Sequence, residues 1–271
     1  RQMCIRDSRH FKLLENFGIE MITVPFQKDG PDLNAIEDLI NSESNIHGIV
    51  CVPRHSNPTG HTFSDDNVEQ LFKLIEPLKE NFSIFWDNAY ACHDIEDTIK
   101  QTPADQIAKK IGLENNLFQV GSTSKITLAG SGISFISSSA DNLSKFIDFR
   151  NAITPGPNKM NQGMHVKYFE LVSIEQQMSE LKKIIKPKFE LVDHILEPIK
   201  DTGLCFYEKP TGGYFYSIDS VKSNADEVVQ TCSQLGLKLL PMGSCFPYGV
   251  DPDKKNIRLA PTFPDMASLE R

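Results

Sequence analysis

The sequence lacks an apolar run of the roughly 18 residues that a membrane-spanning helix needs. It also lacks a C-x-x-C pair among its six cysteines, which argues against zinc and thioredoxin-type redox sites. A basic surface is not expected either, because 28 Lys and Arg face 36 Asp and Glu, for a net charge of −8. These absences predict a protein that binds neither nucleic acid nor membranes and keeps its thiols reduced, as in the cytoplasm.

The first two-thirds of the 271 residues alternates strand-like and helix-like segments. Helices are predicted to begin at Ser64, a plausible N-cap, and at the Thr102-Pro103 step. This alternation is typical of βαβ units and predicts an α/β fold with a mostly parallel sheet sandwiched by helices. The predicted strands are 48–53, 83–87, 117–120 and 132–137.

The remaining third has a different pattern. A helical stretch is predicted from Met164 to Lys200, kinked or split at Pro187. Two aromatic-rich runs around Pro210-Thr211-Gly212-Gly213 predict an antiparallel hairpin. We therefore expect a smaller α+β domain at the C-terminal end. Its other predicted elements are the hairpin strands 205–208 and 214–218, a helix at 225–235, and strands at 238–241 and 256–260.

Two short segments follow predicted strands and carry residues suited to ligand binding. Asn57-Pro58-Thr59-Gly60 comes soon after the first strand, although such a tetrapeptide, taken alone, is more often a plain turn. Asp87 ends the next strand, at the sheet edge where open parallel sheets bind ligands. A helix or turn cap is the alternative for Asp87. His55 and His61 flank the first segment, but no third residue accompanies them and no metal site is expected.

Two further segments could bind anions. The stretch 121–132 is rich in Ser, Thr and Gly and carries Lys125, which suits a phosphate. It matches neither the Walker A pattern nor the dinucleotide fingerprint, and a surface loop is its alternative. Arg258 lies among apolar residues of a predicted strand and would bind a carboxylate, from a ligand or from the protein itself.

Taken in order, Asn57-Pro58-x-Gly60, Asp87-x-x-Tyr90, Ser122-x-Ser124-Lys125 and Arg258 resemble the fold type I pyridoxal-phosphate aminotransferases. Within them the chain is similar to the aspartate aminotransferase-like subgroup that is related to the aminotransferase domains of MocR-type regulators. The resemblance covers most of the chain, from about His10 to about Pro264, and implies a PLP-dependent transferase large domain. In such relatives the region around Asn161–His165 faces the partner subunit of a homodimer.

The resemblance implies a role for each of these side chains. Lys125 would form the Schiff base with the cofactor aldehyde and later move the proton at the substrate Cα. Asp87 would keep the pyridine nitrogen protonated. Asn57 and Tyr90 would hydrogen-bond the phenolic oxygen of the cofactor.

The same resemblance implies anion-binding roles for three more residues. Ser122 and Ser124 would bind the phosphate of the cofactor. Arg258 would hold the substrate carboxylate, with Asn57 beside it. Position 133 is Ile in this sequence, where most relatives have a phosphate-binding Arg.

The resemblance also suggests how the chain is divided. We expect residues 9–160 to form part of the large cofactor-binding domain and residues 161–271 to form an interdomain helix and the small domain. Residues 1–8 do not fit the subgroup and are expected to be non-native, joined where an upstream segment of the family is missing. A chain truncated in this way would carry only part of the cofactor site and could be inactive.

The function implied is transfer of an amino group between an α-amino acid, aspartate or glutamate by preference, and a 2-oxo acid. One alternative is a different pyridoxal-phosphate reaction, in a C–S lyase or a decarboxylase, because the same Lys and Asp serve all of these. Another is a non-catalytic, ligand-sensing domain of a transcription regulator, which would need a DNA-binding segment that this acidic chain does not contain.

Overall fold

The structure, a computed structural model, describes residues 4–43, 45–96, 100–240 and 243–270 of the chain. Its helices are α1 (Cys4–Asn16), α2 (Leu33–Ser42), α3 (Asp65–Ile75), α4 (Ala104–Ile111), α5 (Ala140–Ile153), α6 (Lys159–Leu171), α7 (Ile174–Lys200), α8 (Ala225–Gln234) and α9 (Met266–Leu269). Its strands are β1 (Phe26–Gln27), β2 (Gly30–Pro31), β3 (Gly48–Cys51), β4 (Ser83–Asp87), β5 (Leu117–Ser122), β6 (Ser134–Ser137), β7 (Cys205–Tyr207), β8 (Tyr216–Ser220) and β9 (Asn256–Leu259). Short 3₁₀ turns occupy Glu76–Leu78, Thr123–Lys125 and Pro247–Gly249.

The main sheet has the strand order β3-β4-β5-β6. Strands β3, β4 and β5 are parallel to one another, whereas β6 runs antiparallel to β5. The predicted α/β class with a mostly parallel sheet flanked by helices is therefore confirmed. Because β4 and β5 are parallel neighbours, their carboxyl ends lie side by side, with Asp87 opposite Val120.

An aromatic cluster anchors α3 to the sheet. Trp86 of β4 packs edge-on against Phe63 and Phe72, with ring centroids 5.8 and 5.6 Å away. The helix begins where the sequence predicts, since Ser64 Oγ accepts a hydrogen bond from Asn67 N at 3.0 Å. This packing fixes β4 and so positions Asp87, its last residue, and Tyr90, which comes three residues later.

The second sheet is antiparallel, in the order β7-β8-β9, and contains the predicted hairpin. Arg258 of β9 lies opposite Ser217 of β8. The strand predicted at 238–241 is wrong for residues 238–240, which form no strand, and Pro241 lies outside the described residues. A proline at the end of the segment has no N–H to donate to a strand ladder.

Of the two outcomes predicted for the long helical stretch at Pro187, the split is wrong and the kink stays a prediction. The break falls at Val172–Ser173, between α6 and α7, and Pro187 lies inside α7. A reciprocal cap explains the new start: Ser173 Oγ accepts from Gln176 N at 3.2 Å, and Gln176 Oε1 accepts from Ser173 N at 3.0 Å.

The chain forms two compact units, which differ from the predicted domains in their extent. The first contains the residues up to Pro25, Asn57–Gly60 and the residues from Ile184 onward; the second contains Phe26–Ser56 and His61–Lys183. The predicted boundary at residue 160 stays a prediction. Across the residues that the structure describes, every helix is too short or too polar to cross a membrane.

Candidate active site

Polar side chains collect at the carboxyl ends of β4 and β5, in the second unit. Asp87 is the last residue of β4, and one of its carboxylate oxygens, Oδ1, accepts a hydrogen bond from Ala89 N at 2.9 Å. Ser122 is the last residue of β5, and the 3₁₀ turn Thr123–Lys125 follows it directly. The parallel pairing of the two strands thus places Asp87 and the start of this turn at one edge of the sheet.

Lys125 contacts Tyr90 closely. Its Nζ donates a hydrogen bond to the Tyr90 hydroxyl at 2.7 Å and lies 3.9 Å from the centroid of the tyrosine ring. Tyr90 itself is buried, with 2% of its surface exposed. The primary amine is therefore held against a fixed phenol rather than extended into solvent, as the surface-loop alternative would require.

The hydroxyls of Ser122 and Ser124 also lie together. Ser122 Oγ donates to Ser124 Oγ at 2.9 Å and accepts from Ser124 N at 3.1 Å. Gly132 approaches the same point so closely that a Cβ atom there would lie 2.6 Å from Ser124 N. Glycine is required for this approach, because such a contact is shorter than any side chain allows.

The Lys125 turn, which we define as residues 123–127, is bonded by side chains from three other segments. His93, after β4, contacts the Lys125 carbonyl through Nε2 at 3.1 Å. Gln177 of α7 donates to the Ile126 carbonyl at 3.0 Å. His165 of α6 contacts the Oγ1 atoms of Thr123 and Thr127, each at 2.9 Å.

His93 is neutral at pH 7. Burial lowers its pKa to about 4, and the nearby Lys125 charge also lowers it, against the opposing effect of the hydrogen bond to the Lys125 carbonyl. A carbonyl only accepts, so the neutral ring carries its proton on Nε2 and donates it to Lys125 O. His93 thus supports the turn without adding a positive charge beside the lysine.

A second polar network lies in the segment before Asn57. Arg54 donates to both carboxylate oxygens of Asp94 at 2.8 Å, and His55 Nε2 lies 2.8 Å from Asp94 Oδ1. His55 is buried and has φ of 46°, a conformation that non-glycine residues seldom adopt. The network ties the chain after β3 to the loop that carries Tyr90 and His93. His55 therefore has a structural partner in Asp94.

Arg258 and Asn57 meet in the first unit. Arg258 Nη1 donates to Asn57 Oδ1 at 2.6 Å, and the guanidinium carbon lies 4.3 Å from the centroid of the Phe215 ring. The arginine is 4% exposed. Stacking on an aromatic ring holds the planar guanidinium in one orientation, which suits two-pronged binding of a carboxylate.

The loop before β9 is organised by a buried carboxylate. Asp251 Oδ2 accepts from Lys255 N at 2.9 Å and from Asn256 N at 2.8 Å, and its Oδ1 accepts from Asp253 N at 3.0 Å. These bonds set where β9 begins, two residues before Arg258.

The residues predicted from the sequence therefore fall into two groups. Asn57 and Arg258 are bonded to each other in the first unit. The other five lie in the second unit, at the ends of β4 and β5: Asp87, Tyr90, Ser122, Ser124 and Lys125.

The residues that hold the Lys125 turn are not among the site residues predicted from the sequence. His165 and Gln177 lie on helices about 40 and 50 positions further along the chain, and nothing in their local sequence indicates the contact. His93 could have been found, because it follows Tyr90 by three residues in the same loop.

Solved aminotransferases share this architecture. The crystal structure of an aspartate transaminase from Corynebacterium glutamicum superposes with a TM-score of 0.89 at 37% identity, over 97% of this chain and 62% of that one. LysN, the α-aminoadipate aminotransferase of Thermus thermophilus, gives a TM-score of 0.80 at 19% identity, over 93% of this chain and 63% of that one. The fold is that of the pyridoxal-phosphate-dependent aminotransferases.

Sequence comparison identifies the family within the aminotransferases to which the chain belongs. The family model described as aspartate aminotransferase matches residues 5–271, and the chain belongs to that family. A Mycolicibacterium smegmatis protein named provisionally as an aminotransferase is 41% identical over 265 residues, which cover 96% of this chain and 61% of that protein. The chain thus spans about three-fifths of the length of the curated relatives it matches.

Pyridoxal phosphate is the cofactor of this family, and the side chains at the ends of β4 and β5 fit it chemically. Lys125 offers the primary amine that an aldehyde needs, held at 2.7 Å from a phenol. Asp87 offers a carboxylate for a protonated ring nitrogen. The Ser122 and Ser124 hydroxyls, beside a glycine that leaves the backbone exposed to close approach, suit a phosphate.

Proposed function

We propose that the protein is an aminotransferase that moves an amino group between an α-amino acid, aspartate or glutamate by preference, and a 2-oxo acid. The observation that carries this proposal is the contact between Lys125 Nζ and the Tyr90 hydroxyl at the carboxyl end of a parallel sheet. The family supports the reaction class. The name of the Corynebacterium glutamicum relative supports aspartate as a substrate.

Pyridoxal phosphate, when bound, supplies an aldehyde that captures amines and a ring that accepts electrons from the substrate Cα. Lys125 is the residue that would bond to that aldehyde and then take and return the Cα proton. Asp87 would hold a proton at the ring nitrogen. Tyr90 would donate to the phenolic oxygen, and its present contact with Nζ would keep the lysine oriented.

The remaining residues would bind anions and orient the substrate. Ser122 and Ser124 would donate their hydroxyl protons to the phosphate. Arg258 would bind the substrate carboxylate, with Phe215 behind its guanidinium. Asn57, whose Oδ1 accepts a hydrogen bond from Arg258, would donate to the phenolic oxygen of the cofactor.

We further propose that the chain belongs to the subgroup related to MocR-type aminotransferase domains, on the phrases around Asn57, Lys125 and Arg258. We also propose that residues 9–160 form part of the cofactor-binding domain and that residues 161–271 form an interdomain helix and the small domain.

Five cysteines are free among the residues whose side chains are described, which supports a reducing compartment such as the cytoplasm. Exposed apolar side chains on α5 and α6, including Phe149 and Met160, support a homodimer.

Reduction with borohydride tests the cofactor site directly. The complete gene product is incubated with pyridoxal phosphate, reduced, digested and analysed by mass spectrometry. We expect the phosphopyridoxyl group on Lys125, with the peptide that carries exposed Lys109 unmodified as the internal control. A modified Lys109 with an unmodified Lys125 would contradict the assignment.

The reaction class is tested by half-reactions. With aspartate or glutamate as the only substrate, we expect pyridoxamine phosphate and the matching 2-oxo acid without ammonia or carbon dioxide. Release of ammonia would support a lyase, and release of carbon dioxide a decarboxylase. Binding of the amino acid without any product would support a ligand-sensing domain.

A further inference from the structure

His165 is the single buried residue of α6, a helix that the structure describes throughout. It is 6% exposed, and its neighbours on the helix include strongly exposed apolar side chains such as Met164 and Leu171. An apolar anchor would have been enough to pack the helix. A buried imidazole instead needs partners for both ring nitrogens, and those partners identify what the residue does.

The hydrogen bonds of His165 fix its tautomer. Nδ1 lies 2.8 Å from the Asn161 carbonyl, which only accepts, so Nδ1 carries the proton of the neutral ring. Nε2 is then an acceptor, and it lies 2.9 Å from both Thr123 Oγ1 and Thr127 Oγ1. The imidazole therefore accepts a hydroxyl proton from the Lys125 turn. The Thr127 hydroxyl has a second acceptor within reach, the Thr123 carbonyl at 3.1 Å.

The two threonines enclose Lys125, one two residues before it and one two residues after it. Their backbones are also joined, because Thr127 N donates to Thr123 O at 2.8 Å. Thr123 Oγ1 accepts in addition from Ile133 N at 3.0 Å, which connects the turn to the segment before β6. Rotation of the backbone at Lys125 would have to break these bonds together.

We propose that His165 is a positioning residue for Lys125, acting through the hydroxyls of Thr123 and Thr127. The inference rests on the proposed function only for the importance of the lysine; the contacts themselves belong to the chain. His165 does not touch the amine. It keeps the turn in the conformation that places Nζ on the Tyr90 hydroxyl.

The test measures how strongly the reactivity of the Lys125 amine depends on the Tyr90 hydroxyl. Cofactor-free protein is methylated with formaldehyde and cyanoborohydride, and the labelling rate of Lys125 is measured by mass spectrometry relative to exposed Lys109. The effect of Tyr90→Phe on this rate is compared in the parent and in His165→Phe. His194→Gln, which changes an exposed histidine of α7, is the control.

In the parent and in His194→Gln we expect Tyr90→Phe to change the Lys125 rate at least about twofold, as coupled neighbours do. In His165→Phe the same substitution should leave the rate nearly unchanged, because the amine no longer rests on the tyrosine. Thr127→Val should also abolish the coupling, whereas Thr127→Ser, which keeps the hydroxyl, should restore it. Rescue by the hydroxyl would not be expected of a residue that only fills space.

An equal effect of Tyr90→Phe in the parent, His165→Phe and Thr127→Val would overturn the proposal, and so would a parent that does not respond to Tyr90→Phe. If His165→Phe fails to fold, His165→Asn, whose side chain is too short to reach the two threonine hydroxyls, takes its place in the comparison. Failure of the proposed function has a different signature, since it leaves the phosphopyridoxyl group off Lys125 in the borohydride experiment.

Discussion

Lys125 and Arg258 are held in position by different means. Lys125 lies in a short turn that has a few backbone bonds of its own and is also bonded by side chains of other segments, namely those of His93, His165 and Gln177. Arg258 lies in a regular strand. The hydrogen-bond ladder with β8 fixes the position of its backbone, and the Phe215 ring fixes the orientation of its guanidinium. The turn is therefore expected to respond to distant side-chain changes, and the strand to changes in its backbone support.

Removal of the lysine amine should have the largest effect. Lys125→Arg keeps a positive charge but cannot bond to the aldehyde or move the Cα proton, so kcat should fall by about 10²- to 10⁴-fold. Steady-state transamination by the complete gene product measures this. Lys109→Arg, on the exposed face of α4, is the control and should retain the parent rate.

Changing the arginine should act on substrate binding instead. Arg258→Lys loses the planar fork and the stacking on Phe215, so kcat/KM for a dicarboxylic amino acid should fall by about 10- to 100-fold, mostly through KM. Initial-rate kinetics measure the split. An unchanged KM would show that Arg258 does not bind the carboxylate.

The backbone support of Arg258 is tested at Asp251. Asp251→Asn replaces one of two oxygens that together accept three backbone N–H groups, so the free energy of unfolding should fall by about 1–3 kcal/mol. Urea titration measures the loss. Asp253→Asn, an exposed neighbour in the same loop, should be close to neutral, and an equal loss there would contradict the role of Asp251.

His93, which bonds the Lys125 carbonyl, should make the free energy of unfolding depend on pH. Because burial lowers its pKa to about 4 in the folded protein, the unfolded chain binds a proton first as pH falls below about 6.5. Through His93, the free energy of unfolding should therefore decrease as the pH falls from 6.5 to 4, with a slope of at most about 1.4 kcal/mol per pH unit.

Urea titrations at several pH values measure this contribution as the difference between the parent and His93→Gln. The parent should lose stability faster on acidification than the variant. Exposed His47→Gln serves as the matched control and should follow the parent. Parallel pH profiles for all three would refute the argument.

The sequence predicts the elements that depend on local pattern. Apolar runs identify β3 to β6, and Ser64 is visible as a cap. The start of α7 is also predictable from the sequence, since Ser173-x-x-Gln176 is a capping box. The break was expected at Pro187 instead, because a proline usually interrupts a helix.

Only those residues of the candidate site that belong to a sequence motif can be predicted from the sequence. Asn57, Asp87, Lys125 and Arg258 follow the order of a known family, so resemblance identifies them. The histidine on α6 that bonds the Lys125 turn has no such pattern, because its partners lie about 40 residues away in the sequence. Long-range hydrogen bonds of this kind become visible only once the chain is folded.

Gly132 limits how this protein can be altered. Any side chain there would press on the backbone of Ser124, one residue before the lysine, whereas Gly130 has open space around it. Saturation mutagenesis selected for turnover should accordingly recover glycine alone at position 132, for reasons of shape rather than reactivity. Efforts to redesign specificity should leave that residue fixed and vary the surroundings of Arg258.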